Sequence, residues 1–166
     1  MKAVMLSIQP KWCELIASGK KTVEVRRTKP KIDVPFKCYI YMTKAYDTLF
    51  GYGKPKKLNV GGGYVIGEFV CDRITEYECS SDGFGELATT CGTCLTYDEI
   101  LNYCNGNDLY GWHISDLVIY DKPKELSEFR SYNVSTYIDE EFGLPMPTHI
   151  IKRPFQSWGY VYEVDT

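Results

Sequence analysis

Residues 19–27, GKKTVEVRR, hold the side chains best suited to chemistry in this chain. Within them, Lys21, Glu24 and Arg26 are charged and closely spaced. Arginine offers a two-pronged set of N–H donors, lysine a compact positive charge, and glutamate can orient both or accept a proton. If the three converge, they could recognise a phosphate, a base edge or a carbonyl. Spacing alone favours a plainer alternative, which is an exposed strand face with a cross-strand ion pair.

The geometry of a regular strand separates these three side chains. Neighbouring residues point to opposite faces, so Glu24 and Arg26 share one face while Lys21 falls on the other with Val23 and Val25. Lys21 lies at the start of the predicted strand, where a bulge or turn could redirect it. A shared site therefore requires an irregular strand start.

The two histidines, His113 and His149, are weaker candidates. An imidazole can serve as an acid or a base near neutral pH. However, His113 follows Trp112 inside a predicted strand, which favours a packed, hydrogen-bonded role. His149 lies in a proline-rich loop and indicates little.

Seven cysteines, an odd and scattered set, favour reduced thiols over a disulfide scaffold. Cys91 and Cys94 form a C-x-x-C pair, with Cys79 upstream and Cys104 downstream. Four thiolates can bind zinc tetrahedrally. Because there is one C-x-x-C pair and the outer spacings are irregular, we predict no metal site, and no cofactor is predicted either.

A segment rich in lysine and aromatic residues lies between residues 44 and 57. Phosphate contacts by lysine and base stacking on aromatic rings suit single-stranded nucleic acid. A solvated hairpin tip has the same composition, so both interpretations stay open. The residues are Lys44, Tyr46, Phe50, Tyr52, Lys54, Lys56 and Lys57.

The elements that must position these residues follow from periodicity and from cap residues. Strands are predicted over residues 3–8, 20–27, 36–42, 64–74, 110–120 and 158–164, with a possible bulge at Gly67. A short helix over residues 10–18 begins at Pro10 and ends before Gly19. A second helix follows Thr96, which forms a capping box with Glu99 and is expected to end near Cys104.

Five or six short strands with two helices predict an α+β fold, a small mixed β-barrel with helical decoration. The 166 residues suit one domain over 1–166. Variable insertions are expected near residues 45–63, 78–108 and 121–152, the last mostly loop and short helix.

Charge is unevenly distributed along the chain. Residues 1–60 contain 13 Lys and Arg against 4 Asp and Glu, whereas residues 61–166 contain 6 against 18. The basic half suggests an anionic partner, unless the fold interleaves the two halves. No apolar run approaches the roughly 20 residues of a membrane span, and the first is shorter than a signal-peptide core. We therefore expect no membrane partner and a cytoplasmic location.

The segment LSIQP at residues 6–10, followed by GKKTVEVR, resembles the ASCH domain, a branch of the PUA-like superfamily. That family shows a strand, a helix and a G-x-K-x-x-E-x-R signature. The similarity covers residues 3–44 and continues at residues 67–69 (GEF), 110–117 (YGWHISDL) and 153–158 (RPFQSW). The last two segments resemble a prokaryotic and phage subgroup.

This resemblance implies a PUA-like barrel with a cleft beside the first helix. The cleft is expected to bind RNA or a modified nucleoside. Lys21 and Arg26 would supply cationic donors, and Glu24 would read or orient the ligand. Ser7 and Gln9 would add hydrogen bonds, and Glu68 and Trp158 would form its walls.

Two alternatives stay open beside this binding function. One similar bacterial group hydrolyses N4-acetylcytidine with a Lys, a Thr and a Glu. Lys21 and Glu68 match its Lys and Glu and would be the catalytic pair, also in a nuclease. Glu24 stands at the Thr position and Thr22 lies two residues early, which removes the nucleophile. The other alternative is a phage or mobile-element accessory protein that binds a protein partner through its acidic half.

Overall fold

The computed structural model describes residues 2–44, 62–132 and 147–163. The predicted segment 44–57 therefore lies almost wholly outside the described residues. The strands and helices, in chain order, are β1 (Ala3–Ile8), α1 (Pro10–Ala17), β2 (Val23–Arg26), β3 (Phe36–Met42), β4 (Tyr64–Tyr77), α2 (Ser81–Thr89), α3 (Tyr97–Cys104), β5 (Leu109–Lys124), β6 (Phe129–Tyr132), β7 (Pro147–Ile150) and β8 (Trp158–Glu163).

One mixed sheet contains the eight strands of the described residues, in the order β2-β5-β4-β3-β1-β8-β6-β7. The β1–β3 pair is parallel and the other pairs are antiparallel. The α+β class is confirmed, but the barrel of five or six strands is not. Within the part of the chain that the structure describes, β2 and β7 are the two edges, so the sheet is not closed.

β1 lies inside the sheet and separates two apolar cores. All six of its residues are buried. Val4, Leu6 and Ile8 pack in the first core beneath α1, whereas Ala3 and Met5 pack in the second core with Phe129 of β6. The period of two in a strand sends alternate side chains to opposite faces. A strand buried on both faces reads as a continuous apolar run, which is what the sequence AVMLSI shows.

β2 is also buried on both faces, although it is an edge strand. Val25 packs into a third core with Leu87 of α2 and Ile100 of α3. All four residues of β2 are buried. The exposed strand face that spacing favoured is therefore wrong, because Glu24 and Arg26 are buried on the side opposite Val25, while α2 and α3 cover the Val25 side. A sequence pattern within one strand does not reveal such a cover, which comes from a distant segment.

Two segments hold more regular structure than the sequence predicts. Residues 78–95, in which no specific helix was predicted, contain α2, with the Ser80 hydroxyl accepting from the Gly83 N–H. Residues 121–152, expected to be loop and short helix, contribute the end of β5 and the strands β6 and β7. None of the helices in the described ranges has the length and apolar character that crossing a membrane requires.

The predicted capping box of α3 is confirmed. The Thr96 hydroxyl accepts from the Glu99 N–H at 3.2 Å, and a Glu99 carboxylate oxygen accepts from the Thr96 N–H at 2.9 Å. We expect Thr96→Ala to lower the free energy of unfolding by about 1 kcal/mol, because the first turn of α3 loses this acceptor. Urea denaturation measures the change. Thr96→Ser keeps the hydroxyl and is the control. Equal losses in both variants would contradict the role of the cap.

Candidate functional site

The pairing of β2 with β5 aims Glu24 into the molecule. Glu24 lies opposite Trp112, a fully buried residue of the first core, while Val25 lies opposite Gly111. Residues directly opposite in an antiparallel pair share a face. Glu24 and, two residues on, Arg26 therefore point to the side of the sheet that holds α1.

Lys21 reaches the same side because β2 begins only at Val23. Gly19 follows α1 with a φ of 72°, a left-handed conformation that glycine adopts easily. The N–H groups of Lys20 and Lys21 both donate to the Leu15 carbonyl at 3.0 Å. Since Lys21 lies in this turn and not in the strand, the alternation of strand faces does not govern its side chain.

The three charged side chains form one ion cluster. Lys21 Nζ lies 3.5 Å from Glu24 Oε2, and Arg26 Nη2 lies 3.0 Å from Glu24 Oε1. Arg26 Nη2 also donates to the Ser7 carbonyl at 2.9 Å, and Nη1 to Ser157 Oγ at 3.4 Å. Lys21 Nζ donates to the Thr93 carbonyl at 2.6 Å. One carboxylate thus faces two cations.

Burial distinguishes this cluster from a surface ion pair. Five polar or charged residues are buried in the described part of the chain, and all five belong to this network. They are Thr93 (1% exposed), Lys21 (3%), Glu24 (5%), Arg26 (7%) and Ser7 (9%). Within it, Glu24 Oε2 and Arg26 Nε make no hydrogen bond. Because buried polar groups are nearly always hydrogen-bonded, these two atoms leave hydrogen-bonding capacity unused.

A cavity of about 1120 Å³ opens beside the cluster, and we call it the cleft. This volume is slightly above the range of roughly 300–1,000 Å³ typical of small-molecule sites. Its lining residues come from β1, α1, β2, the loop after β3, α3 and the segment before β8. They are Ser7, Ile8, Gln9, Trp12, Lys21, Glu24, Val25, Arg26, Arg27, Thr28, Thr43, Lys44, Leu95, Glu99, Asn102, Tyr103, Asn107, Gln156 and Ser157.

The lining of the cleft combines positive charge with aromatic surface. Four of the described lining residues are cations and two are carboxylates. Trp12 and Tyr103 are partly exposed. Lys21 Nζ lies 5.0 Å from the centre of the Trp12 ring, and the Arg27 guanidinium lies 5.4 Å from that of Tyr103. Such aromatic rings, flanked by cations, offer flat surfaces for stacking.

The structure brings together most of the binding residues expected from the sequence. Ser7 and Gln9 line the cleft with the ion cluster, although Ser7 contributes its carbonyl to Arg26 while its hydroxyl donates to the Phe155 carbonyl at 2.6 Å. Trp158 does not line it. Its indole N–H donates to Thr28 Oγ1 at 2.9 Å, and its ring packs against Trp112.

Glu68, the expected partner of Lys21, lies elsewhere. It is opposite Tyr39, a residue of the second core, whereas Glu24 adjoins the first. Its carboxylate accepts from Lys37 Nζ at 2.8 Å and from the Tyr120 hydroxyl. Burial raises the pKa of Glu68, but these hydrogen bonds outweigh burial and hold it below its usual range. Its catalytic pairing with Lys21 stays a prediction without a direct contact.

Several residues of the site were not predicted from the sequence. Ser157 lies within the RPFQSW segment but was not singled out there, and Thr93, which contacts Lys21 without lining the cleft, acts through a carbonyl that any residue has. Asn102 and Tyr103 lie in α3, which belongs to an expected insertion. Local patterns do not predict them, because their meeting with β2 depends on long-range packing.

The hydrogen bonds around His113 indicate a structural role for this residue. Arg73 Nη2 lies 3.0 Å from Nδ1, which must accept, so Nε2 carries the proton and donates to Thr75 Oγ1 at 2.9 Å. Burial, and after it the charge of Arg73, lowers the pKa of His113. The imidazole is thus held neutral, which fits packing better than acid–base chemistry.

The lowered pKa of His113 makes the free energy of unfolding depend on pH. The folded state favours neutral His113, whereas in the unfolded chain a histidine gains a proton near pH 6.5. The contribution of His113 to the free energy of unfolding is thus fully present above that pH and is lost as the pH falls. We expect the free energy of unfolding to decrease between about pH 7.5 and 5.5, and His113→Gln to flatten that slope. Urea denaturation across this range measures it, and equal slopes in both proteins would contradict the argument.

The cysteines make no disulfide, and all seven are free. Cys13, Cys38, Cys71 and Cys104 are buried, and the other three are exposed. Burial, and after it the Glu24 charge, raises the pKa of the Cys13 thiol well above its usual range. In residues 2–44, 62–132 and 147–163, no three His, Cys, Asp or Glu side chains are grouped as metal ligands.

The model of the ASCH domain family matches residues 6–137. The chain belongs to the ASCH domain family. The match includes the end of β1, all of α1 and β2, and so contains Ser7, Lys21, Glu24 and Arg26. Among curated proteins, none has a significantly similar sequence.

Solved ASCH structures from Zymomonas mobilis share the fold of this ASCH domain. The crystal structure of that ASCH protein superposes with a TM-score of 0.59 at 19% identity, over 98% of each chain. A serine-to-alanine mutant of the same protein gives a TM-score of 0.58 at 19% identity, over 95% of this chain and 87% of that one. A tyrosine-to-phenylalanine mutant gives a TM-score of 0.55 at 22% identity, over 76% of this chain and 77% of that one.

Proposed function

We propose that the cleft of this ASCH domain binds RNA, holding one plain or modified nucleotide against the ion cluster. The observation that carries the proposal is the buried cluster itself, in which two cations face one carboxylate. A buried charge is costly unless it is paired, so the surplus positive charge favours an anionic ligand. ASCH domains are generally RNA-binding, which supports a nucleotide as that ligand.

The three charged residues have complementary roles in this proposal. Glu24 Oε2 is an acceptor without a hydrogen bond and suits an N–H group on a base edge. Arg26 Nε is a donor without a partner and suits a carbonyl or phosphate oxygen. Lys21 adds a positive charge 3.5 Å from Glu24. Together they offer donors and an acceptor to one ligand.

The walls of the cleft fit an unpaired nucleotide better than a duplex. Trp12 and Tyr103 can stack on base faces, which are accessible in single strands. Gln9, Asn102 and Gln156 add side-chain amides, which can both donate and accept. The ligand class is therefore single-stranded RNA, with the base held in the cleft.

The test is the affinity for a fluorescent single-stranded RNA, measured at several salt concentrations. We expect affinity to fall as salt rises, because phosphate contacts release counterions. Lys21→Met should weaken binding about tenfold or more, since it removes the surplus positive charge of the cluster that attracts the anionic ligand. Lys122→Met removes an exposed cation from β5, outside the cleft lining, and is the matched control. Equal affinities of both variants would refute the proposed site.

A second assay separates binding from hydrolysis. The protein is incubated with N4-acetylcytidine, and free cytidine is followed by chromatography. We expect no release, because the nucleophile position carries Glu24 and Glu68 has no contact with Lys21. Turnover abolished by Lys21→Met would instead support the amidohydrolase alternative.

A further inference from the structure

The turn over residues 91–94, between α2 and α3, holds the segment that carries Lys21. The Gly92 carbonyl accepts from the N–H groups of Thr22 at 2.8 Å and Val23 at 3.0 Å. The Thr93 carbonyl accepts from Lys21 Nζ. At Gly92, with a φ of 92°, an added Cβ would collide with Thr22 Oγ1. The backbone of this turn thus sets the position of Lys21.

Two thiols flank these carbonyls. Cys91 and Cys94 are exposed and free, unlike the four buried cysteines. The Cys94 thiol lies 3.4 Å from the Lys20 carbonyl, to which it donates. Cys94 also has a φ of 58°, a left-handed conformation that is uncommon outside glycine. The turn therefore contacts residues 20–23 through the Gly92 and Thr93 carbonyls and through the Cys94 sulfur.

We propose that Cys91 and Cys94 are a redox modification site, and that a disulfide between them loosens the hold of the turn on Lys21. The oxidant is a small-molecule disulfide such as oxidised glutathione. One cysteine thiolate attacks a sulfur of that disulfide and releases one small thiol. The second thiolate attacks the mixed disulfide and releases the other, so two electrons reduce the small disulfide and two protons end on its thiols.

Bond chemistry makes the two states of the turn incompatible. A disulfide sulfur carries no hydrogen, so Cys94 cannot donate to the Lys20 carbonyl once oxidised. The bridge also requires Cβ atoms about 3.5–4.5 Å apart and a fixed dihedral angle. Gly92 and Thr93 lie inside the ring that closes. We expect the closing of this ring to turn their carbonyls away from Thr22, Val23 and Lys21.

The first test needs no RNA. The protein is equilibrated with reduced or oxidised glutathione, the disulfide is located by peptide mass mapping, and amide hydrogen exchange is followed by NMR. We expect a Cys91–Cys94 bridge and exchange at Thr22 and Val23 about tenfold faster, which is the loss of roughly one hydrogen bond. The amides of Leu6 and Ile40, in the β1–β3 pair, should not change.

Matched variants isolate the pair. Cys91→Ser should prevent the bridge and the change in exchange, whereas Cys79→Ser, which removes the third exposed cysteine, should leave both intact. Absence of the Cys91–Cys94 bridge under oxidised glutathione overturns the proposal. Formation of the bridge with unchanged exchange at Thr22 and Val23 overturns it equally.

A second readout rests on the proposed function and is interpreted separately. Affinity of the oxidised protein for single-stranded RNA is expected to fall about tenfold and to return on reduction, because Lys21 loses its anchor. If neither redox form binds RNA, the proposed function fails while the exchange data still decide the redox site. If RNA binds equally to both forms, the bridge does not act on the cleft.

Discussion

Glu24→Gln should lower the free energy of unfolding by about 3–5 kcal/mol, the loss typical of removing one partner from a buried ion pair. The substitution keeps the shape of the side chain and removes its charge. Lys21 and Arg26 would then be two buried cations without a counter-charge. This loss destabilises only the folded state, because water solvates both cations in the unfolded chain. Urea denaturation of the variant and the original protein measures the difference.

Two further variants serve as controls for this prediction. Glu76→Gln removes a carboxylate from its ion pair with Lys29. About half of each side chain in this pair is exposed. The free energy of unfolding should therefore not change measurably. Replacing Lys21, Glu24 and Arg26 together by Met, Leu and Met removes every charge of the cluster. This triple variant should be more stable than Glu24→Gln, because no buried charge is left unpaired. A loss below about 1 kcal/mol in Glu24→Gln would show that solvent reaches the cluster.

The parts of the fold that the sequence predicted well are those decided by local chemistry. Phe36–Met42 and Ala3–Ile8 are apolar runs whose bounds agree with the predicted strands. Thr96 and Glu99 indicate the start of α3, because the two hydrogen bonds of their capping box join residues only three apart in sequence. The strands β6 and β7 were missed, because β6 pairs with β8, which is distant in sequence, and β7 pairs in turn with β6.

The residues of the candidate site likewise divide into those that the local sequence predicts and those that only tertiary packing brings there. The signature segment indicated Lys21, Glu24 and Arg26, but strand periodicity placed Lys21 on the wrong face. The turn after Gly19 removes that conflict, and its geometry depends on the end of α1. Thr93 contacts Lys21 and Tyr103 contacts Arg27, and both come from the α2–α3 segment. A pattern confined to one strand cannot predict a neighbour that tertiary packing supplies.

Arg26→Lys is expected to abolish most RNA binding although it conserves the charge. The guanidinium uses Nη2 for Glu24 and the Ser7 carbonyl and Nη1 for Ser157, and its Nε has no hydrogen bond. A lysine ammonium is a single point on a flexible chain and cannot reproduce this planar fork. We expect affinity for single-stranded RNA to fall on the order of 30-fold or more, as for truncation of a buried charged contact.

The matched control for this prediction is Arg27→Lys. Arg27 is the next residue, lines the same cleft and is exposed, with its guanidinium over the Tyr103 ring. A cation in that position can be replaced by another with a small loss, since it requires no fork of donors. Fluorescence anisotropy with one RNA measures both variants. If Arg26→Lys binds as well as Arg27→Lys, the ligand is held by charge alone, and the buried cluster does not read it through directed hydrogen bonds.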